Sequence, residues 1–337
     1  MATVLYVYPR LSSFIEIDRD ALAERHEIVD YAQPGKAPRP REIVRGLRRA
    51  DVVVGWWASW HTFLPFTLAW LMRKPSLLIV GGFDVAAIPE VGFGYQLGGF
   101  RRWASRWIIA RAGALVTNSN YSREEIARNI GAGTAARVEV IHHGMPDPFG
   151  ELPPAPEGTP VALTVGAVSR LTLEQKGQRP FVDAAALVPE ARFVQAGAFL
   201  DEDAAVVLRA RAGDNVDLRG WVEQADLEDL YRRTSVYVQA SWHEGFGMAI
   251  AEAMLAGCVP VVRIAGSMPE VVGDAGVLIE SSEPEDIAAG VREAIERAST
   301  DDGRRAARER IVEAFPLSER YRRLQAAVER VLSRGSR

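Results

Sequence analysis

Short apolar runs recur along this chain, separated by amphipathic stretches, and three closely spaced prolines divide the series in two. Residues 3–8, 52–54, 76–80, 114–117 and 138–141 read as buried strands, and residues 100–112 and 122–129 as helices between them. Strands that are apolar throughout need cover on both faces, which points to a parallel sheet with crossover helices. Residues 151–158, with Pro153, Pro154 and Pro156, then read as a stiff, extended linker. The pattern restarts beyond it. Strands at 161–165, 192–197, 216–220, 236–239 and 259–262 alternate with helices at 180–187, 202–212, 226–232 and 284–298. The predicted fold class is α/β: two doubly wound, Rossmann-like domains, 1–152 and 158–315, facing a central cleft at the carboxyl ends of their strands. The terminal segment 317–337 carries a last helix expected to pack back on the first domain.

Charge and composition exclude several classes. A net charge of -4 argues against nucleic acid as a partner. The single cysteine, Cys258, sits in an apolar run with no basic neighbour, so it reads as a buried structural thiol in a reducing cytoplasm. The N-terminus reads as a first strand rather than a signal peptide. No Asp, Glu, Lys or Arg occurs between Asp51 and Arg73, a length able to span a bilayer. Gly55, Ser59, His61, Thr62 and Pro65 interrupt that window, which is better read as a strand at 51–55 and a helix at 64–72.

The chemistry concentrates in the second half. Glu244 and Glu252 flank a glycine-bracketed turn, Gly245-Phe246-Gly247-Met248, that runs into an Ala-rich helix ending at Gly257. The glycines let the backbone approach a ligand, and the helix start offers unpaired N–H groups to an anion. Carboxylates beside a phosphate site grip neutral hydroxyls better than phosphate. A sugar nucleotide has both parts. Upstream, Gly166 leaves a strand toward Arg170 and Lys176, two cations on a loop able to neutralise a pyrophosphate. The backbone at Arg219-Gly220-Trp221-Val222 is placed to meet a flat base edge. Gly266-Ser267-Met268-Pro269-Glu270 follows the next strand, so four loops converge on one crevice.

These segments, in this order and spacing, resemble the donor domain of glycosyltransferase family 4, retaining enzymes with the GT-B fold. The resemblance covers roughly residues 160–295. It implies transfer of a sugar from a nucleotide diphosphate sugar, a substrate rather than a cofactor, to a hydroxyl on a glycan, lipid or small molecule. It implies diphosphate binding and charge stabilisation by Arg170 and Lys176, with Glu244 holding hydroxyls of the transferred sugar. Glu252 takes the ribose hydroxyls, and Val222 contacts the base through its backbone. Gly245, Phe246, Gly247 and Met248 supply amides to sugar and phosphate oxygens. No metal ligands and no cofactor are expected. The first half resembles the family more loosely, at 118–122 and 140–147, and makes Asp84 and His143 acceptor-side candidates. It departs from the family in having Leu11-Ser12-Ser13-Phe14 where a Gly-Gly pair is common, and Gly81-Gly82-Phe83-Asp84 where a histidine is common. A sugar-nucleotide epimerase or hydrolase of the same fold, and a non-catalytic nucleotide-sugar-binding protein, are the alternative functions.

Residues 99–111 mix aromatics with four arginines. At helical spacing Phe100, Trp103 and Trp107 share one face, flanked by Arg101, Arg102 and Arg106. Such a helix either lies peripherally on the anionic inner face of the membrane or packs its aromatic face on the sheet with solvated arginines.

Overall fold

The computed structural model describes residues 1–335, so residues 336 and 337 of the expected terminal helix lie outside the described residues. The first unit runs β1 (Thr3–Tyr8), α1 (Ser13–Ala23), β2 (Glu27–Ala32), α2 (Pro40–Arg49), β3 (Val52–Trp56), α3 (Trp60–Leu71), β4 (Ser76–Val80), α4 (Gly99–Arg111), β5 (Ala114–Thr117), α5 (Asn120–Asn129), α6 (Ala132–Ala135) and β6 (Val138–Val140). The second runs β7 (Val161–Val165), α7 (Arg170–Gln175), α8 (Gln178–Ala184), β8 (Arg192–Ala196), α9 (Glu202–Arg211), β9 (Val216–Gly220), α10 (Gln224–Arg232), β10 (Val236–Gln239), α11 (Met248–Leu255), β11 (Val259–Arg263), α12 (Met268–Val272), β12 (Val277–Ile279), α13 (Pro284–Ala298) and α14 (Asp301–Ala314). The chain then returns to the first unit as α15 (Leu317–Gly335).

Each unit is built on a six-stranded sheet of parallel pairs. The order is β2-β1-β3-β4-β5-β6 in unit 1 and β12-β11-β10-β7-β8-β9 in unit 2. β3 and β4 are buried at every position, as continuous apolar runs between two helix layers must be. In unit 1, α2, α3, α4 and α5 fill one face through Leu47, Phe66, Ile108 and Ile126. α1 and α15 fill the other through Ile15, Leu22, Leu324 and Val328. In unit 2, α8, α9 and α13 cover one face and α10, α11, α12 and α14 the other. The α15 contact includes an ion pair with no solvent exposure: Arg320 donates to Asp18 at 2.8 and 2.6 Å and to the Ile141 carbonyl at 2.5 Å.

Three expectations need correction. The helix predicted at 64–72 begins earlier, at Trp60, because Ser59 and Thr62 form a capping box and Pro65 is accommodated inside the helix. The division between the units falls at Gly144/Met145 and Pro316/Leu317 rather than at the prolines. Residues 151–158 are not a free linker: Arg304 on α14 donates to the carbonyls of Pro153 (2.7 Å) and Pro154 (3.1 Å). Arg308 pairs with Asp147 nearby, at 2.5 Å. The segment is thereby fastened to unit 2. Where the chain leaves unit 2 it is stitched to where it entered, since Met145 N–H donates to the Phe315 carbonyl at 2.9 Å. Among the described residues no helix is long and apolar enough to cross a membrane.

Candidate functional site

The strand order of unit 2 reverses at β7, which pairs with β8 on one side and β10 on the other. Loops leaving the carboxyl ends of β7 and β10 turn to opposite faces, and the crevice between them is the place where this architecture binds ligands. After β7, Gly166 keeps the strand register through its N–H to Ala196 (2.8 Å), and its carbonyl accepts from Gln178 and Gln195, both at 2.9 Å. Ser169 and Thr172 then form a capping box that starts α7. The segment read as a loop carrying both cations is therefore a short helix. Arg170 is its first residue, and Lys176 follows its last.

That helix sends the two cations different ways. Lys176 Nζ donates to Glu244 Oε1 at 2.5 Å. The Arg170 side chain is 71% exposed and pairs with Asp203 and, at 3.4 Å, with Asp201 at the start of α9. Arg170 is thus outside the Lys176–Glu244 cluster.

Glu244 lies on the loop after β10, and a polar chain along that strand leads to it. The Tyr237 hydroxyl donates to Gln239 Oε1 at 2.8 Å. Gln239 Nε2 donates to Ser241 Oγ (2.6 Å) and to Glu244 Oε1 (3.3 Å), and Ser241 Oγ donates to Glu244 Oε1 (2.9 Å). Three donors thus meet on one carboxylate oxygen. Oε2 receives no donor among the described residues, which fits it to accept from a ligand hydroxyl. The loop itself is held from both sides. Trp242 N–H donates to the Gln175 carbonyl (2.9 Å), and the Ser267 amide and hydroxyl both donate to the Glu244 carbonyl (3.0 Å). Gly266, at φ +60°, makes this possible: a Cβ there would stand 2.6 Å from the Glu244 amide nitrogen.

Gly245, Phe246 and Gly247 form the turn into α11. Phe246 packs into the core, edge-on to Phe315 at 5.1 Å. Gly247 takes φ +97°, which an L side chain rarely adopts, so α11 can begin at Met248. Ile250, Ala251, Ala253, Met254 and Leu255 are buried, and Met248 and Glu252 share the half-buried face one turn apart. Tyr231 donates to Glu252 Oε2 at 3.2 Å. Burial pushes the Glu252 carboxyl above the usual carboxylate range; the Tyr231 bond opposes this and Glu228 adds to it. Val222 follows β9, half-buried against the core that includes α11.

The acceptor-side candidates are both interior to unit 1. Asp84 is fully buried and accepts from the amides of Ala58 (2.9 Å) and Gly81 (3.3 Å), so its carboxylate ties two loops together. Burial raises its pKa to about 6, against the two amide bonds. His143 stacks on Trp56, ring centroids 5.7 Å apart, with Asn118 Nδ2 at 3.3 Å. Burial holds its pKa well below the ordinary imidazole value, helped by Arg320. Both side chains are buried. Cys258 is buried and contacts the carbonyls of Tyr231 and Thr234, and burial pushes its thiol up. Among the described residues no group of three or more His, Cys, Asp or Glu side chains is placed to hold a metal ion.

Sequence reasoning overlooked Gln239, Tyr231 and the roles of Ser241 and Ser267. One signal was present: Tyr237, Gln239 and Ser241 alternate, so they share one face of an otherwise apolar strand.

Comparison with known proteins converges on the same segment. Residues 162–297 match the sequence profile of the family described as Glycosyl transferases group 1. Over 77 residues the chain is 38% identical to O-antigen chain mannosyltransferase B of Escherichia coli, covering 23% of this chain and 20% of that protein. Over 200 residues it is 29% identical to lipopolysaccharide core biosynthesis mannosyltransferase LpcC of Rhizobium leguminosarum bv. viciae, covering 54% of each. The chain thus spans about half or less of the length of these relatives. The crystal structure of Anabaena Alr3699/HepE in complex with UDP-glucose superimposes with a TM-score of 0.76 at 16% identity, covering 98% of this chain and all of that one. The fold is GT-B, two Rossmann-like domains.

Proposed function

From the match of residues 162–297 to the Glycosyl transferases group 1 profile, we propose that this chain moves a hexose from a nucleotide diphosphate sugar to a hydroxyl acceptor, with retention of anomeric configuration and without a metal ion. The observation that carries the reading is the convergence of Lys176, Ser241 and Gln239 on Glu244 Oε1. It fixes one carboxylate oxygen and leaves the other for a sugar hydroxyl beside a cation. Glu252, held by Tyr231, takes the ribose hydroxyls, and the start of α11 faces the diphosphate. Val222 meets the base through its backbone.

As the bond from the anomeric carbon to the diphosphate breaks, the electron pair passes to the diphosphate, and Lys176 stabilises that growing charge. The acceptor oxygen bonds to the anomeric carbon on the face the diphosphate leaves, and the hydroxyl proton passes to an oxygen of the departing diphosphate. Arg170 joins Lys176 by leaving Asp201 and Asp203, exposed pairs that contribute little. The names of the relatives, both mannosyltransferases, and the UDP-glucose held by Alr3699/HepE support a hexose donor. We place the protein in the cytoplasm.

The test is incubation with a panel of nucleoside diphosphate hexoses and candidate acceptors, with products resolved by mass spectrometry and the anomeric centre read by NMR. A new glycoside of unchanged configuration, formed equally in chelator, is the expected result. Free or epimerised sugar alone would replace transfer with hydrolysis or epimerisation. An inverted centre or a metal requirement would overturn the mechanism.

A further inference from the structure

The outer face of α3 and α4 in unit 1 is apolar, aromatic and ringed by cations. The residues of α4 that pack inward are Ala104, Ser105, Ile108 and Ile109. Its aromatic stripe therefore does not lie on the sheet. Phe100, Trp103 and Trp107 instead follow one another at 5.3 and 5.4 Å along the side of α4 that meets α3, where Phe63 stands 5.8 Å from Trp103. Trp107 Nε1 donates to Thr67 on α3 at 3.2 Å, so its polar atom is satisfied and its ring is locked. The Arg111 guanidinium closes the row, 3.0 Å from the Trp107 ring centre and 4.8 Å from that of Trp70.

Much of this row is uncovered. Phe100 is 74% exposed, Leu71 63%, Trp103 49% and Trp70 48%. Isolated exposed aromatics are ordinary, but a contiguous row on two helices marks a contact surface. The charge pattern identifies the contact. α3 has no charged residue, and α4 has four arginines and no carboxylate, in a protein whose net charge is -4. Arg101 and Arg102 are exposed beside Phe100 and Trp103, whereas Arg106 is turned inward to Gln96 Oε1 (3.0 Å) and the Asn129 carbonyl. At the other end of the row a cavity of about 500 Å³ is lined by Trp70, Arg73, Lys74, Arg111 and Arg334, with no acidic residue on its wall.

We propose that this face of unit 1 docks on a bilayer containing anionic phospholipid, the aromatic row entering the headgroup boundary and the basic cavity receiving a phosphodiester headgroup. Rigid Trp and Phe rings with a cationic rim are suited to that boundary, where one end of each group meets hydrocarbon and the other meets water and phosphate.

Co-sedimentation of the full chain with phosphatidylglycerol/phosphatidylcholine (1:1) vesicles and with pure phosphatidylcholine vesicles tests this. The wild type should pellet with the first at low salt, stay in solution with the second, and be released as salt rises. Arg101→Glu with Arg102→Glu should weaken partitioning at least roughly 25-fold, at roughly fivefold for each arginine near an anionic surface. Phe100→Ser with Trp103→Ser should abolish it. All four positions are solvent-exposed, and unchanged circular dichroism melts establish that each variant is folded. Wild type left in the supernatant, equal binding to both vesicles, or binding indifferent to both double variants would each overturn the proposal. So would a concentration-dependent dimer, lost in Phe100→Ser with Trp103→Ser, in a protein that ignores vesicles; a second copy would then be the occupant. Vesicle binding is read without turnover, so its failure leaves the transferase reading standing.

Discussion

The two sheets offer the same opening and fill it differently. In unit 1 the strand order reverses between β1 and β3, and in unit 2 between β7 and β10. In unit 1 that position is filled by rings. Phe14 packs on Trp56 (5.0 Å) and Trp57 (5.7 Å), and Trp56 stacks on His143. In unit 2 it holds a lysine, a serine and a glutamine aimed at one carboxylate. Architecture supplies a crevice twice, but only the one beside β7 and β10 carries a cluster of polar side chains converging on a carboxylate. The unit 1 crevice has become part of its core.

The largest effect expected from probing this contrast is on stability. Asp18→Ala leaves Arg320 buried without its partner and should cost roughly 3–5 kcal/mol, with α15 the element released. A thermal melt indistinguishable from wild type would show that the pair does not hold α15. Next, Lys176→Ala should lower turnover ~100- to 1,000-fold with the fold intact. Phe14→Leu, in the ring-filled crevice, should leave donor affinity by calorimetry nearly unchanged. If Phe14→Leu harms donor binding as much as Lys176→Ala, the two crevices are not specialised as described. Glu252→Ala should weaken donor binding by roughly 1.5–3 kcal/mol for each hydroxyl bond lost, and Glu252→Gln by less. Equal affinities across the three proteins would remove Glu252 from the ribose site.

A further effect concerns pH. The Asp84 pKa is raised from 3.8 to about 6 by folding, so between those values the native state keeps a proton that the unfolded chain has lost. Its contribution to stability is therefore fullest below about pH 4, fades as pH rises toward about 6, and is flat above. Melting temperatures of Asp84→Asn should lack that downward component. Parallel curves for the two proteins would mean that Asp84 does not titrate there.

What could be read in advance follows from burial. β3 and β4 are covered on both faces, so each announces itself as an apolar run. β2, Glu27–Ala32, is an edge strand with exposed glutamate and aspartate, and its sequence carries no such run. α14, Asp301–Ala314, was equally silent, since its charged sequence resembles a solvated segment. Yet its Arg304 and Arg308 are buried and clamp the segment 147–154. That clamp explains why prolines that read as a linker belong to unit 2. The turn into α11 between Glu244 and Glu252 was legible because glycines bracket it and a helix starts there. Arg170's outward turn was not, because it depends on Ser169 starting a helix where a loop was expected. The α4 stripe had the correct period, but periodicity alone does not say whether an aromatic face meets a sheet or a neighbouring helix.

The stitch between Met145 and Phe315 makes unit 2 a continuous insertion, complete in itself, while unit 1 is written in two pieces. A ribosome delivers those pieces far apart in time. Unit 2 can fold as soon as Pro316 has emerged, whereas the face of the unit 1 sheet formed by Val54, Leu77, Ile79 and Val116 waits for Leu324, Val328 and Val331 of α15. Throughout the synthesis of unit 2, an unfinished apolar surface is open to chaperones and to neighbouring chains. A nascent chain halted before α15 should bind a holdase, and one extended past it should let go.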